Sequence, residues 1–271
     1  MPTVITDSAD VLVHTCDAIL AVKDDPRIVG LHIEGPHIAM ARRGTHAPEH
    51  VRPMEKRTLD VVRTLRHAGV RVMITLAPEA ATSAQIRELT ATGAIVSLGH
   101  TDADAKTARA ALDAGATCFT HLYNAMSPML NRAPGVVVAA SASDAYAGII
   151  CDGIHVDDAM VAIALRARPV ADRMFLVSDA MPTVGGPDVF DLYGQRIRLH
   201  NGCLINEEGS LAGAHVTQAQ GVARLVQHVG VSLEQALRMA ITVPADLIDA
   251  PAMAQIVGRH IDDLVTMDDA G

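Results

Sequence analysis

The chain has 271 residues, of which 49% are hydrophobic and 20% charged, and its formal net charge is −9. The apolar content excludes an intrinsically disordered chain, and the excess of acidic residues leaves no basic surplus for a nucleic-acid partner. No apolar run reaches the ~18 residues of a membrane span, and the N-terminal residues lack a signal-peptide pattern. The four cysteines form no closely spaced pair, which fits a reducing compartment. We therefore expect a soluble cytoplasmic protein without a membrane partner.

Short apolar runs alternate with amphipathic stretches along most of the chain. The apolar runs predict strands at residues 3–6, 28–33, 70–77, 94–98, 117–120, 147–151 and 174–178. Helical spacing predicts helices at residues 54–67, 83–90, 103–113, 159–166, 217–228 and 233–240. The last of these helices begins after Ser232, a residue type that caps helix N-termini. This alternation indicates an α/β fold with parallel strands and helical crossovers, although seven strands are one short of a closed (β/α)8 barrel.

Residues 187–211 interrupt this alternation. They are rich in Gly, Asp and Asn and contain the alternating segment Arg196-Ile197-Arg198-Leu199. Alternation of polar and apolar residues between turn-forming residues is typical of antiparallel strands. We expect a β-hairpin that leaves the barrel at this point.

Residues that can bind a metal ion or move a proton follow several of the predicted strands, namely Glu34, Glu79, His100, His121, Asp152, His155 and Asp179. In a parallel barrel the carboxyl ends of the strands meet at one mouth, where active sites are built. A single polar residue after a strand is usually a turn former or a helix cap, and this interpretation is favoured for Asp152 and Thr101. Histidine is a poor cap and is costly to bury without partners. Two histidines in such positions, with a glutamate and an aspartate, indicate a metal or acid–base site.

Two imidazoles and a carboxylate form a ligand set for catalytic Zn²⁺, and the same set suits Fe²⁺ or Mn²⁺. Such a site favours hydrolysis of an amide or an ester, with Asp179 as the residue that moves the proton. Spacing alone does not decide whether Glu34 or Glu79 is the carboxylate ligand. Serine-hydrolase and nucleotide-binding motifs are absent from the sequence.

Eight segments carry a resemblance to a known family. They are, in chain order, GLHIEGPHIA, RRGTHAPEHVR, ITLAPE, VSLGHTDAD, THLYNAMSPMLNRAPG, GIICDGIHVD, LVSDAM and GSLAGA. The sequence resembles the N-acetylglucosamine-6-phosphate deacetylases of the amidohydrolase superfamily from about residue 2 to about residue 268. The combinations THLYNAM with a downstream arginine, and GIHVD before SDA, are specific to that group.

The resemblance implies roles for residues of the metal and acid–base site. It makes Glu34 a metal ligand in preference to Glu79, with His100 and His121 as the other ligands. It implies one divalent ion per subunit, with zinc preferred and iron, manganese or cobalt as alternatives. It makes Asp179 the general base and acid, and it places His46 at the acetyl carbonyl. For His32 and His37 supporting or loop positions are favoured over ligation.

The resemblance also implies how the sugar phosphate is held. Asn124 and Ala125 grip the phosphate, and Arg132 and His155 add charge and hydrogen-bond donors. The family arginine reaches the site of a neighbouring subunit, so that a homodimer is expected, and Leu211 corresponds to a residue near the N-acetyl group. With these few placed groups, a chain of net charge −9 can still hold an anion.

The implied fold is a (β/α)8 TIM barrel of the metal-dependent amidohydrolase type. In the family a first barrel strand and half of a small β-sandwich precede the position of Pro2, so we expect the chain to lack that strand and most of the sandwich. The expected domains are a catalytic barrel at residues 1–250, with the hairpin at 187–211, and the start of the C-terminal sandwich at residues 251–271.

The expected function is removal of the acetyl group from N-acetylglucosamine 6-phosphate in amino-sugar catabolism. One alternative is a deacetylase for a related substrate such as N-acetylgalactosamine 6-phosphate. The other is an inactive shortened barrel that only binds a metal ion or a partner chain.

Overall fold

The computed structural model describes residues 1–207 and 209–266. These residues fall into two compact units, the first spanning Met1–Ala140 and the second beginning at Ser141. In the described ranges, no helix combines the length and the apolar composition needed to cross a lipid bilayer.

A parallel sheet organises the unit of residues 1–140, all of which are described. Its strands lie in chain order and are β1 (Thr3–Ile5), β2 (Leu31–Glu34), β3 (Val72–Leu76), β4 (Ile95–Leu98) and β5 (Cys118–Phe119). The register places Ile33 opposite Ile74, and Ile74 opposite Val96. These three side chains are almost completely buried, as expected for a parallel sheet covered on both faces.

A helix connects each pair of neighbouring strands in this unit: α1 (Ala9–Ala21), α2 (Lys56–His67), α3 (Ser83–Ala91) and α4 (Ala105–Asp113). Side chains cap three of these helices, because Ser8, Thr82 and Asp104 accept hydrogen bonds from backbone N–H groups of the first turn. A further helix, α5 (Val136–Ser141), ends at the first residue of the second unit. Short 3₁₀ turns at Met40–Arg42, Pro48–His50 and Pro78–Ala80 lie in the loops that follow β2 and β3.

The second unit begins with a parallel pair, β6 (Tyr146–Ile149) and β7 (Met174–Leu176), joined through α6 (Asp158–Ala167). An antiparallel sheet follows, and within the described residues it has four strands: β8 (Val189–Leu192), β9 (Gln195–His200), β10 (Cys203–Ile205) and β11 (Leu211–Ala214). Ile197, Leu204 and Ala212 form its buried core.

The described chain ends in helical segments. Helix α7 (Gln218–Arg224) continues into a π-helical turn at Leu225–Val229. Helix α8 (Leu233–Leu237) continues through a second π-helical turn, Arg238–Thr242, into α9 (Val243–Leu247). Short 3₁₀ turns follow at Pro251–Ala254 and Ile261–Asp263.

All seven predicted parallel strands are confirmed, with bounds that differ by a few residues. The predicted helices are also present, and Ser232 accepts a hydrogen bond from the Gln235 backbone N–H at 3.1 Å, as its predicted capping role requires. Helices α1, α5 and α9 were not predicted. The expected single hairpin at residues 187–211 is a larger structure, because two more strand pairings extend it to residue 214. The predicted domain division at residue 250 stays a prediction, and residues 267–271 of its second segment lie outside the described residues.

Candidate metal centre and active site

Three of the predicted site residues converge at the carboxyl ends of parallel strands. Glu34 is the last residue of β2, and His100 and His121 each follow two residues after the ends of β4 and β5. Glu34 Oε1 lies 3.2 Å from His100 Nε2 and 3.0 Å from His121 Nε2, and the two Nε2 atoms are 3.1 Å apart. All three side chains are buried. The structure thus brings together the predicted ligand set in one triangle of donor atoms.

The spacing of this triangle fits a bound divalent ion. Tetrahedral coordination with Zn–N and Zn–O distances near 2.0–2.1 Å separates neighbouring ligand atoms by about 3.3 Å. The distances of 3.0–3.2 Å between the three atoms are therefore close to those expected between ligand atoms around a bound ion. His100 Nδ1 lies 2.8 Å from the carbonyl oxygen of Arg42. Because a carbonyl only accepts, Nδ1 carries the hydrogen and the Nε2 lone pair of His100 faces the other two donors.

The backbone of both predicted histidine ligands adopts the left-handed conformation, with φ of 48° at His100 and 33° at His121. This region is uncommon for residues other than glycine. The carbonyl of His100 accepts a hydrogen bond from the Ala39 N–H at 2.8 Å, and that of His121 accepts one from the Asn124 N–H at 2.9 Å. Such strain persists where surrounding contacts fix the backbone, and it is concentrated at functional sites.

His46, in the loop after β2, joins the cluster. Its ring lies 4.4 Å from the ring of His100, and it offers a ring nitrogen within 4.8 Å of donor atoms of Glu34 and His100. Its Nδ1 is 2.6 Å from the hydroxyl of Thr6, directly after β1. Burial, together with the nearby His100, lowers the pKa of His46 to about 3, so its ring is neutral at physiological pH. A neutral ring with hydrogen on Nε2 can donate to a carbonyl oxygen, whereas one with hydrogen on Nδ1 can ligate a metal.

Burial alone raises the pKa of a carboxyl group. At Glu34, the interactions with His100 and His121, and more weakly with His32, outweigh that effect, and the pKa of Glu34 lies well below its usual value. The carboxylate is therefore ionised across the physiological range, as a metal ligand must be.

Glu34 and Glu79, the two carboxylates that the sequence offers as metal ligands, have different contacts. Both oxygens of Glu79 accept hydrogen bonds from the loop after β4, one from the Thr101 hydroxyl at 2.6 Å and one from the Asp102 N–H at 2.7 Å. His32 and His37 are likewise engaged at both ring nitrogens. His32 contacts the hydroxyls of Thr3 and Thr75, whereas His37 contacts the Arg52 carbonyl and the Thr58 hydroxyl.

Three of the four residues predicted for the phosphate lie in the first unit, in two settings. Asn124 and Ala125 follow His121 closely in the chain and are partly buried. The carbonyl of Ala125 accepts a hydrogen bond from the Thr101 N–H at 3.0 Å. Ala125 also has a positive φ of 50°. Arg132 is exposed, in a loop with the exposed side chains of Met129 and Leu130.

The remaining predicted residues lie in the second unit. Asp179 follows β7, has a φ of 50°, and its carbonyl accepts a hydrogen bond from the Ala214 N–H of β11 at 2.9 Å. Leu211 is the first residue of the same strand and is partly exposed. His155 Nδ1 lies 2.6 Å from a carboxylate oxygen of Asp152. Asp152 also accepts hydrogen bonds from the backbone N–H groups of residues 154 and 155, so it forms a turn, as predicted, and also orients His155.

Two contributors to the cluster were missed by the sequence analysis. Arg42 acts through its backbone carbonyl, and no sequence pattern marks a carbonyl. Thr6 is the last residue of the first predicted strand, and His100 and His121 also lie at the ends of predicted strands. This shared position is the signal that could have identified Thr6.

Comparison with known proteins agrees with this geometry. The sequence matches the Amidohydrolase family over residues 5–251. An N-acetylgalactosamine-6-phosphate deacetylase from Shewanella sp. (strain ANA-3) is 40% identical over 273 residues, which cover 99% of this chain and 68% of that protein. An N-acetylglucosamine-6-phosphate deacetylase from Haemophilus influenzae is 34% identical over 230 residues, covering 83% of this chain and 59% of that protein.

Among solved structures, the crystal structure of N-acetylglucosamine-6-phosphate deacetylase from Pasteurella multocida matches with a TM-score of 0.89 at 33% identity. The match covers 96% of this chain and 69% of that one. The predicted resemblance and the predicted α/β fold class are therefore confirmed. This chain belongs to the amidohydrolase family and has that family's metal-dependent type of α/β barrel fold.

Proposed function

We propose that this chain is a metal-dependent hydrolase that removes the acetyl group from N-acetylglucosamine 6-phosphate, giving glucosamine 6-phosphate and acetate in amino-sugar catabolism. The observation that carries the proposal is the buried triangle of Glu34, His100 and His121, whose donor atoms lie 3.0–3.2 Å apart. Relatives at 34–40% identity that bear the names of amino-sugar phosphate deacetylases support the substrate class.

The same three residues are the proposed ligands of one divalent ion per subunit. Zinc is the preferred ion, with iron, manganese or cobalt as alternatives, since imidazole and carboxylate ligands suit all of them. When bound, such an ion lowers the pKa of water and polarises a carbonyl oxygen. The ionised state of Glu34 supports ligation without a competing proton.

Asp179 is the proposed residue for proton transfer. Its carboxylate accepts the proton of the attacking water, and the resulting carboxylic acid returns that proton to the nitrogen that leaves as the sugar amine. His46 is proposed to donate a hydrogen bond to the acetyl carbonyl oxygen as negative charge develops on it. The single hydrogen of the Thr6 hydroxyl can go to His46 Nδ1 at 2.6 Å or to the Glu34 carbonyl at 3.4 Å. The first arrangement supports the proposed role, because the neutral ring then carries its hydrogen on Nε2.

The phosphate is proposed to bind Asn124, the backbone at Ala125, Arg132 and His155, with Leu211 near the N-acetyl group. A forked guanidinium suits a phosphate, and the exposure of the Arg132 loop supports a contribution to the site of a second copy. A homodimer is part of the proposal for this reason. The apolar side chains of Met129 and Leu130 beside Arg132 offer surface for that contact.

A cytoplasmic location is also proposed. All four cysteines lie in the described residues and are free thiols, and secreted proteins more often use cysteines in disulfides.

The Shewanella relative favours a second candidate substrate, N-acetylgalactosamine 6-phosphate. The two sugars differ only in the configuration of one hydroxyl group, so a site that holds the phosphate and the acetyl group can accept either. Comparing kcat/KM for the two substrates separates the candidates.

The test is acetate release from each sugar phosphate by purified protein, with metal content determined on the same sample. Turnover with about one divalent ion per chain supports the proposal, and the substrate with the higher kcat/KM identifies the preferred sugar. Bound metal without turnover on either substrate supports the alternative of an inactive metal-binding barrel. Protein with neither metal nor turnover contradicts the proposed function.

A further inference from the structure

We propose that Glu79 is a positioning residue, which fixes the backbone and the ring of His100 so that Nε2 of this histidine meets a metal ion. The inference rests on the proposed metal site and adds to it a residue that does not touch the metal. Glu79 lies in the 3₁₀ turn Pro78–Ala80, directly after β3.

The first connection runs through the backbone that follows His100. The Thr101 hydroxyl donates to one carboxylate oxygen of Glu79, and the Asp102 N–H donates to the other, at 2.6 and 2.7 Å. Thr101 is completely buried. Glu79 thereby holds the two residues that immediately follow a histidine with a φ of 48°, a conformation uncommon for residues other than glycine that surrounding contacts help to fix.

The second connection reaches the imidazole ring. The side chain of Asp102 accepts a hydrogen bond from Arg42 Nε at 2.8 Å, and the carbonyl of Arg42 accepts one from His100 Nδ1 at 2.8 Å. Glu79 orients Asp102 through its backbone, Asp102 orients Arg42, and Arg42 selects the His100 tautomer. The two connections therefore converge on one side chain from its backbone and from its ring.

The contacts suit a carboxylate at position 79. The Asp102 N–H can only donate, and the Thr101 hydroxyl, which accepts from the Ala103 N–H at 3.0 Å, gives its single hydrogen to the other carboxylate oxygen. A glutamine would offer one uncharged acceptor oxygen and one NH₂ group, so that one of these two donors would lose its charged acceptor. We therefore expect Glu79→Gln, which preserves size, to loosen His100.

The experiment measures the dissociation constant of Zn²⁺ by chelator competition, and the visible absorption spectrum of the Co²⁺-loaded protein, which reports ligand geometry. Glu79→Gln is expected to weaken zinc binding about 10–100-fold, the usual effect of losing a hydrogen-bonded supporting group, and to alter the cobalt spectrum. Thr101→Val is expected to act in the same direction, whereas Thr101→Ser, which keeps the hydroxyl, is expected to retain wild-type affinity.

The matched control is Asp104→Ala, which lies two residues after Asp102 in the loop between β4 and α4. Asp104 is exposed and caps α4 through a hydrogen bond from the Thr107 N–H at 2.7 Å. Its loss is expected to lower thermal stability, since capping residues stabilise helices, while zinc affinity stays unchanged. The control separates loss of fold stability from loss of ligand orientation.

The outcomes distinguish this inference from the proposed function. Wild-type protein that binds no divalent ion overturns the metal site and the role of Glu79 together. If the wild-type protein binds zinc but Glu79→Gln binds it equally well with an unchanged cobalt spectrum, only the positioning role is overturned. If Glu79→Gln does not fold, Thr101→Val against Thr101→Ser decides in the same way.

Discussion

Two of the regions of this molecule that adopt left-handed backbone do so for different reasons. In the antiparallel sheet it forms the turns Tyr193–Gly194, between β8 and β9, and Asn201–Gly202, between β9 and β10, with φ between 50° and 79° at all four residues. Two-residue loops with positive φ at both positions match the twist of antiparallel strands, and Asn-Gly is a preferred sequence for them. At Gly194, Asn201 and Gly202 the residue type accounts for the conformation.

At the strand ends of residues 1–140 the same conformation is adopted by His100 and His121, although it is uncommon for residues other than glycine. Contacts distant in sequence hold His100 in place, from Ala39, Arg42 and, through the next residues, Glu79. The sheet turns are thus set by the residues that form them, whereas the ligand positions are set by their surroundings. Substitutions should follow this division: those at the turns change stability alone, and those at strand ends change chemistry.

Asp179, at the end of β7, offers the strongest test, because it also has a positive φ of 50°. Asparagine tolerates the left-handed region well, so Asp179→Asn should preserve the backbone while removing the group that accepts a proton. We expect kcat to fall about 10²–10⁴-fold with metal content near that of the wild-type protein. Acetate release and metal analysis on one sample check this expectation. Equal loss of metal in the variant would assign Asp179 to the ligand set instead.

The strand ends were accessible from sequence because polar residues there interrupt apolar runs. Glu34, His100 and His121 were predicted as a site from that placement and from the resemblance, and they lie together in the structure. The choice between Glu34 and Glu79 could not be made from spacing, since both follow buried strands. The choice depends on which carboxylate accepts hydrogen bonds from Thr101 and Asp102, and the position of this loop after β4 is known only from the structure.

The rest of the site could not be predicted for a related reason. The Arg42 carbonyl fixes the ring of His100, yet any residue type supplies a carbonyl.

Parts of the fold were also missed. The unpredicted helix α1 has a partly apolar composition with a weak periodic signal, and its Ser8 cap is a common residue. The size of the antiparallel sheet was underestimated because its last strand, Leu211–Ala214, is short and contains glycine, a residue depleted in strands.

Gly194→Ala tests the other side of the comparison. Gly194 has a φ of 75°, and a Cβ added there meets no atom within 4 Å, so the substitution isolates the backbone cost. We expect a loss of about 1–2 kcal/mol in the free energy of unfolding, measured by urea denaturation, with zinc affinity unchanged. Asn201→Gly is the control, because glycine adopts the same conformation freely. A change in zinc affinity in Gly194→Ala would break the proposed division.

The smallest expected effect concerns His37, whose buried ring lies near the site but outside the donor cluster. Burial, opposed by the hydrogen bond to the Arg52 carbonyl, lowers the pKa of His37 below its ordinary value of 6.5. Near and below pH 6.5 the His37 ring binds a proton more readily in the unfolded chain than in the folded chain. Its contribution to stability is therefore complete well above pH 6.5 and declines as the pH falls through 6.5. Between pH 7.5 and pH 6.0 the loss from this residue is about 0.8 kcal/mol at most.

Urea denaturation of the wild-type protein and of His37→Gln at both pH values measures this contribution. Glutamine does not titrate but can still bond to the Thr58 hydroxyl, which His37 contacts at 2.9 Å. The variant should therefore lose less stability than the wild-type protein over the same pH interval, whatever its stability at pH 7.5. An identical pH dependence would mean that His37 is protonated equally in the folded and unfolded states. The burial of the His37 ring would then carry no electrostatic cost.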